Sequence, residues 1–363
     1  MSKTIGLLTT YPRNTVPGLR FRIEQYITLL AREGYHLEWR SFFNDSAYRK
    51  FRNPSTSLGK RVILFLEAIQ ETLSESPRKK KWQGIYLYRE ATLLGTTFFE
   101  RLWTRDLPIL LDFDDAIWIP DVSESNRAFG WLKSAQKVPA LLRMARVVTV
   151  CNQFLADYAR QYANDVRIIP TTIDTELYRP VPKSPSDRVT IGWTGSYTTL
   201  KHLKVAENAL LSLHRKYKDR IRFRFIGAPH YQPPFPAEVL PWRSESEVED
   251  LQPLDIGLMP LPNDTWSRGK CALKALQYMA LGIPPIISPV GMNCEVVEEG
   301  YNGLFAQNED EWVDKISWLI ENPSIRARIG QAARDTVENR YSVHANQSKY
   351  VAAFDAAFGR DSR

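Results

Sequence analysis

"DIGLMPLPNDTWSRGKCALKALQYMALGIPPIIS", residues 255–288, reads as strand, helix, strand. The outer runs, DIGLMPL and PPIIS, are short, apolar and bounded by proline, the pattern of strands buried on both faces. The run between them, opening at Gly269, has helical spacing and sets Leu273, Leu276 and Ala280 on one apolar face. A helix enclosed by two buried strands predicts a βαβ unit, and hence a parallel sheet covered on both sides.

The same alternation extends over the whole chain. Strand patterns in the first half are TIGLLTT, HLEWRSF, GIYLYR, PILLDFD, RVVTVC and VRIIP; in the second half they are VTIGWTG, RFRFIGA, DIGLMPL and PPIIS. Helical patterns separate them, for example at 21–33, where Ile23, Tyr26, Ile27 and Leu30 form one stripe. The expected fold class is α/β, with two Rossmann-like doubly wound domains facing a cleft at the carboxyl ends of their strands. Prolines, serine and charge replace periodicity in PTTIDTELYRPVPKSPSDR, 170–188, so the domains are set at 1–172 and 173–344.

With 363 residues and 44% hydrophobic content, the chain is long enough for two full cores and too apolar for disorder. Its three cysteines, Cys151, Cys271 and Cys294, have no metal-ligand spacing and read as reduced thiols of a cytosolic protein. The N-terminal apolar run is too short for a secretory signal, and no stretch of about 18 apolar residues occurs. Arg78–Lys81 reads as a solvated loop.

Two groups of residues carry chemistry. In the second half, VTIGW runs into Thr194-Gly195-Ser196 and a helix bearing Lys201, a glycine turn whose N–H groups and helix dipole suit a phosphate. At 100° per residue, Lys270, Lys274 and Gln277 share a stripe beside the apolar face. Two cations in the first half of a helix oppose its dipole unless an anion is present. A third turn, SPVGMNCE, offers Gly291, while Glu295 is as plausibly a first-turn helix residue as a ligand contact. In the first half, LLDFDDAIW sets Asp112, Asp114 and Asp115 at a strand end, where carboxylates orient or deprotonate a hydroxyl or simply cap a loop. The segment GLRFR adds Gly18 as a close-approach backbone, with Arg20 and Arg22 as contacts to an acidic group.

IGWTGSYTTLKHL, the 255–288 stretch with its continuation to GYNGLFA, and IIPTTIDTELYRP resemble the signature blocks of family 4 glycosyltransferases. PGLRFRIEQYITLLAREGY and LLDFDDAIW extend the resemblance into the first half. It implies the GT-B fold, with a nucleotide-sugar donor, UDP- or GDP-linked, held by the C-terminal domain and an acceptor hydroxyl met by the N-terminal one. It also implies retention of configuration, no metal ion, no separate cofactor, and a last helix, about 345–363, crossing back onto the first domain. Carried over residue by residue, Lys201 and Lys270 act on the donor diphosphate, while Asp114 and Asp115, from their place at a strand end, are taken as the catalytic carboxylates. Gly195, Ser196, Lys274, Gln277, Gly291, Asn293 and Glu295 hold the donor, and Gly18, Arg20, Arg22 and Asp112 lie on the acceptor side. Gln277 stands where relatives place a ribose-binding glutamate. The upstream glutamate of the E-x7-E pattern falls on Gly269, and Asp264 is a substitute by proximity. A chain without either glutamate that binds nucleotide sugar and transfers nothing, as a regulatory or assembly subunit, is therefore the alternative.

The net charge of +7 is unevenly placed: residues 1–170 hold 25 Lys and Arg against 17 Asp and Glu, a net of +8, leaving −1 for the remainder. No nucleic-acid recognition motif accompanies it. YRKFRN (48–53) and GKRVILFL (59–66) mix cations with apolar residues, so the expected partners are a glycan or lipid-linked acceptor with either an anionic membrane surface or an acidic polysaccharide, and the expected place is the cytoplasm, with or without attachment to the inner face of the membrane. A nucleotide-sugar epimerase shares the architecture but needs acid and base groups around the sugar, and His36, His202, His214, His230 and His344 are the available histidines.

Overall fold

The computed structural model describes residues 2–53, 55–74, 81–119, 136–182, 186–196 and 199–359. Arg78, Lys79 and Lys80 of the basic run, Tyr197 after the glycine turn, and 360–363 of the last predicted helix lie outside the described residues. The chain divides into two compact units, Met1–Pro170 with Gln347–Arg363, and Thr171–Asn346.

The first unit is built on a parallel sheet of β1 (Lys3–Thr9), β2 (Tyr35–Ser41), β3 (Gly84–Tyr88), β4 (Ile109–Phe113), β5 (Val147–Val150) and β6 (Val166–Ile168). Their order among the described residues is β2-β1-β3-β4-β5-β6. Strands β3, β4 and β5 are buried at every position, which is why GIYLY, ILLDF and VVTV read as unbroken apolar runs rather than alternations. The predicted helix 21–33 is in fact Pro17–Arg22, a 3-10 turn Glu24–Tyr26, and Ile27–Arg32. Proline at the first position starts it early. Ile23, at φ −130°, interrupts it, a break that periodicity does not reveal because Ile23, Tyr26 and Leu30 are buried on either side of it.

From Gln347 onward the last helix, Val343–Phe358, belongs to this unit. Tyr350 stacks on Tyr26 with centroids 3.9 Å apart, Asp355 accepts from Tyr35 Oη at 2.5 Å, and Phe354 stacks on Tyr86.

The second unit repeats the plan with β7 (Val189–Thr194), β8 (Ile221–Ile226), β9 (Glu238–Leu240), β10 (Ile256–Met259), β11 (Pro285–Ile287) and β12 (Leu304–Phe305). The order is β12-β11-β10-β7-β8-β9, all pairings parallel. Trp193, Phe223, Phe225, Leu258 and Trp312 belong to its core. In both units the first strand lies inside the sheet and the connections diverge on its two sides. That reversal leaves a crevice at the carboxyl ends of the strands, where doubly wound sheets receive ligands. It falls between β1 and β3 in the first unit and between β7 and β10 in the second.

Candidate functional site

In the second unit the loops after β7 and β10 flank this reversal. Thr194, which ends β7, donates its N–H to Tyr278 Oη at 2.9 Å, and Tyr278 Oη in turn donates to Leu258 O of β10 at 3.2 Å. One side chain thus ties the two strand ends to the helix that follows β10. The turn itself differs from the sequence expectation. Gly195 N–H donates to Ile226 O at 2.9 Å and Ser196 N–H to Thr199 Oγ1 at 2.9 Å, so both donors assigned to a phosphate are engaged within the unit. Lys201 follows, exposed, on the single-turn helix Leu200–Leu203, and His202 beside it is buried.

After β10 the chain forms a short helix, Thr265–Arg268, capped by Asp264, whose Oδ1 accepts from Ser267 N–H at 2.7 Å. Asp264 therefore has a local structural task. The next helix is Leu273–Ala280, not a run from Gly269, so Lys270 lies in the preceding loop and does not share a helical stripe with Lys274 and Gln277. The helix is delayed because Ala272 is left-handed, at φ 53°, a conformation that costs a non-glycine residue roughly 1–2 kcal/mol. Such strain marks functional segments more often than plain connections. Alanine has no side-chain acceptor, so the first turn of this helix carries no side-chain cap.

The cations gather in this region. Lys274 Nζ lies 4.8 Å from the ring centre of buried Trp193, and Lys270 Nζ lies 4.6 Å from that of Trp266. Burial and then the charge of Lys270 push Lys274 down to about 7. His202 is pushed down to about 4 by burial and then by Lys274, Lys270 and Lys201, with Asp264 alone acting the other way. The field at His202 is thus set by three lysines and one carboxylate. Nearby, the buried Nδ1 of His202, Nε1 of Trp193 and Oγ of Ser267 have no hydrogen-bond partner among the described residues, the mark of a polar site rather than of a finished core.

Gln277 is 3% exposed. Its Nε2 donates to Glu247 Oε1 at 3.1 Å and to Tyr178 Oη at 3.2 Å, while Tyr178 Oη donates to Glu247 Oε2 at 2.7 Å and Trp242 Nε1 to Glu247 Oε1 at 2.8 Å. Arg334, donating to Ala280 O at 2.6 Å and Thr175 O at 3.0 Å, clamps the Tyr178 segment to the end of the same helix. Tyr178, Trp242 and Glu247 were missed by sequence reasoning. Glu247 lies 30 residues before its partner, in a segment whose other acids are mostly surface groups.

The turn after β11 brings Gly291 against the main chain of residue 268: at φ 57°, its added Cβ would stand 2.6 Å from Arg268 O. A side chain there would displace the loop bearing Lys270. Asn293 is buried and donates from Nδ2 to Ser288 O at 2.8 Å, bracing this turn. Glu295 is exposed in the short helix Asn293–Val296.

In the first unit, two of the acceptor-side candidates pair with each other. Arg22 Nε donates to Asp112 Oδ1 at 3.0 Å and its NH2 to Oδ2 at 2.6 Å, both side chains fully buried, and Thr149 Oγ1 donates to Asp112 Oδ2 at 2.6 Å. This differs from the sequence expectation of charges open to an acceptor: the helix and β4 bury the pair in the core. Arg20 is half-buried with its guanidinium over Phe21. Asp114 accepts from Tyr88 Oη and Arg89 Nε, each at 2.7 Å, and Asp115 lies 3.8 Å from Arg89 NH2. Burial alone would raise Asp114, but the Arg89 guanidinium and the two hydrogen bonds outweigh it and hold the carboxyl below its ordinary value. Gly18 makes the cluster possible, since a Cβ there would stand 1.8 Å from Tyr88 Oη and 2.5 Å from Asp114 Oδ2.

Comparison with known proteins places this architecture. Residues 261–336 match the family model described as glycosyl transferases group 1. That span contains Lys270, Lys274, Gln277 and Gly291. No curated protein matches the chain. Among solved structures, sucrose-phosphate synthase from Thermosynechococcus elongatus aligns with a TM-score of 0.67 at 15% identity, over 96% of this chain and 98% of that one. A glycosyltransferase from Rickettsia africae gives 0.67 at 14% identity, over 97% and 98%. HepE from Anabaena, solved with UDP and glucose, gives 0.62 at 16% identity, over 97% and 99%. Identities this low speak for architecture alone. This chain has the GT-B fold, two Rossmann-like units of parallel sheet, and carries the group 1 glycosyl transferase model across residues 261–336.

Proposed function

We propose that the chain is a family 4 glycosyltransferase, which moves a sugar from a UDP- or GDP-sugar to an acceptor hydroxyl with retention of configuration and without a metal ion. The observation that carries this reading is the gathering of lysines at the strand reversal of the second unit, where Lys274 lies over Trp193 of β7 and Lys270 over Trp266 in the connection that follows β10. In the transfer the bond from the anomeric carbon to the diphosphate oxygen breaks, the leaving group takes the electron pair, and the acceptor oxygen bonds to the anomeric carbon on the same face while its proton passes to the departing diphosphate oxygen. The leaving group's charge grows as the bond lengthens, so cations already in place lower the barrier more than they strengthen ground-state binding. Lys270, Lys274 and Lys201 take that role. The uncapped first turn at Leu273 adds backbone donors of the right polarity, in place of those of Gly195 and Ser196. The Glu247 carboxylate holds the amide nitrogen of Gln277, which leaves the carbonyl edge to accept from a ribose hydroxyl.

On the first unit, Asp114 is suited to orienting an acceptor hydroxyl rather than to taking its proton, because a carboxylate held below its ordinary pKa is a weak base. Asp115 stands beside it. HepE, of similar fold, is solved with UDP and with UDP-glucose, which supports a nucleotide-sugar donor here. Gln277 and Gly269 in place of two glutamates favour a second reading, binding without transfer. Release of nucleoside diphosphate from a panel of UDP- and GDP-sugars, followed with and without chelator, separates the two. Turnover unaffected by chelator is expected, and binding with no release would establish the second reading.

A further inference from the structure

Of the ten large hydrophobic side chains that the described residues expose, five lie on the single helix Leu58–Ser74: Leu58, Val62, Ile63, Leu66 and Leu73. Their crowding on one of many helices is not the scatter of an ordinary surface. At 100° per residue, Leu58, Val62, Leu66 and Leu73 fall within an arc of about 80° that runs for about 22 Å, with Ile69 of the same arc packed inward on the neighbouring cluster. The adjacent arc is anchored. Leu64, Phe65 and Ala68 pack on Phe42, Phe43, Tyr48 and Phe51, so the outer stripe is carried on a fixed support. Lys60, Glu67 and Glu71 occupy the remaining arc, and no acid interrupts the stripe.

Charge complements it. From 46 to 66 the chain holds Arg49, Lys50, Arg52, Lys60 and Arg61 and no carboxylate. Arg61 is buried and donates to Asn53 O at 2.9 Å, so it holds the connection between the helix Asp45–Arg52 and the next one instead of facing outward. Lys50, Arg52 and Lys60 are exposed at that connection. A protein partner selects aromatic and hydrogen-bonding anchors at the centre of its interface. This stripe has only aliphatic side chains, with cations grouped at one end, as required by a surface that offers apolar depth and negative head groups without directional bonds.

We propose that the outer face of the helix Leu58–Ser74, with Lys50, Arg52 and Lys60, docks the protein on an anionic lipid surface. This goes beyond the transferase reading and does not depend on it. Flotation of the full chain with phosphatidylcholine vesicles, with and without phosphatidylglycerol, tests it. The parent should bind the anionic vesicles on the order of a hundredfold better than the neutral ones, and the preference should shrink as salt rises. Replacing Leu58, Leu66 and Leu73 together by serine should lower binding to the anionic vesicles by at least about tenfold. The triple variant Lys50→Gln, Arg52→Gln, Lys60→Gln should reduce anionic binding to the neutral level. Because all six side chains are exposed, thermal stability and nucleotide binding should stay at parental values, so a failure of donor binding in the parent would overturn the transferase reading and not this one. Three results would overturn the lipid face: a parent that binds neither vesicle, a serine variant that binds like the parent, or a concentration-dependent dimer of the parent that the serine variant abolishes.

Discussion

Arg22 in the first unit and Lys274 in the second are both cations removed from much of their water, and they are treated oppositely. Arg22 meets Asp112 in a two-pronged ion pair, with Thr149 completing the carboxylate's bonds. Lys274 lies over an indole ring, and burial, followed by the charge of a second lysine, Lys270, brings it down to about 7. A buried charge with its counterion is an internal structural element. A half-buried lysine facing another lysine is poised for an external anion. The contrast separates residues paired within the core of the fold from residues proposed to act on a ligand, although all of them looked alike as charged residues near strand ends.

The largest expected effect tests the structural side. Asp112→Ala leaves Arg22 buried without its counterion and should lower unfolding free energy by about 3–5 kcal/mol in urea titration. Replacing both partners by apolar residues of similar volume should recover much of it. A loss below about 1 kcal/mol for Asp112→Ala would place the pair among ordinary surface pairs and remove one side of the comparison.

The next effect tests the functional side. Lys270→Ala and Lys201→Ala should each reduce kcat/KM by an amount equivalent to about 2–4 kcal/mol, the range for losing one preorganised group that stabilises developing charge. Denaturation midpoints should stay near the parental one, because neither side chain is fully buried. Stability loss without activity loss in these variants would reverse the assignment.

Gln277→Glu sharpens the boundary between the two classes. It sets a second carboxylate where an amide now donates to Glu247 at 3.1 Å, and both the lost bond and the like charge oppose folding. A cost of about 1–3 kcal/mol at neutral pH is expected. One carboxyl of that pair would have a raised folded-state pKa, so the deficit should vanish below the ordinary glutamate range and return as pH rises. A pH-independent deficit would mean that the two groups do not meet.

The smallest effect is a pH dependence. Lys274 at about 7 is partly neutral near neutrality, and an anion favours its charged form, so donor binding takes up a proton there. The affinity for a nucleotide sugar, whose phosphodiesters have no second proton to lose, should therefore fall as pH rises above about 7, by up to tenfold per unit. Lys274→Arg, always charged, should flatten the profile. Equal slopes in parent and variant would remove Lys274 from the donor site.

Much of the fold was legible because parallel strands buried on both faces read as unbroken apolar runs; β9, an edge strand that opens on exposed Glu238, and β12, with two residues, leave no such mark. Lys270 and Lys274 were found, but their helical alignment was not correct, since nothing in helix-favouring alanine announces the left-handed turn at Ala272. Pairings between distant elements were not readable at all. Arg22 with Asp112, and Gln277 with Glu247, are chosen by packing across 90 and 30 residues of sequence. The turn at Gly195 was placed, while the direction of its N–H groups depended on β8, which sequence reasoning did not bring to it.

The central claim is that the lysine set of the second unit takes the diphosphate of a nucleotide sugar. Calorimetric titration of the parent and of Lys270→Ala with UDP, GDP and their sugars tests it most directly. Saturable binding with a preference for one base is expected, with a weakening of at least about tenfold in the variant, the size of one lost charge-assisted contact. Failure of the parent to bind either nucleotide, or equal affinity in parent and variant, would contradict it.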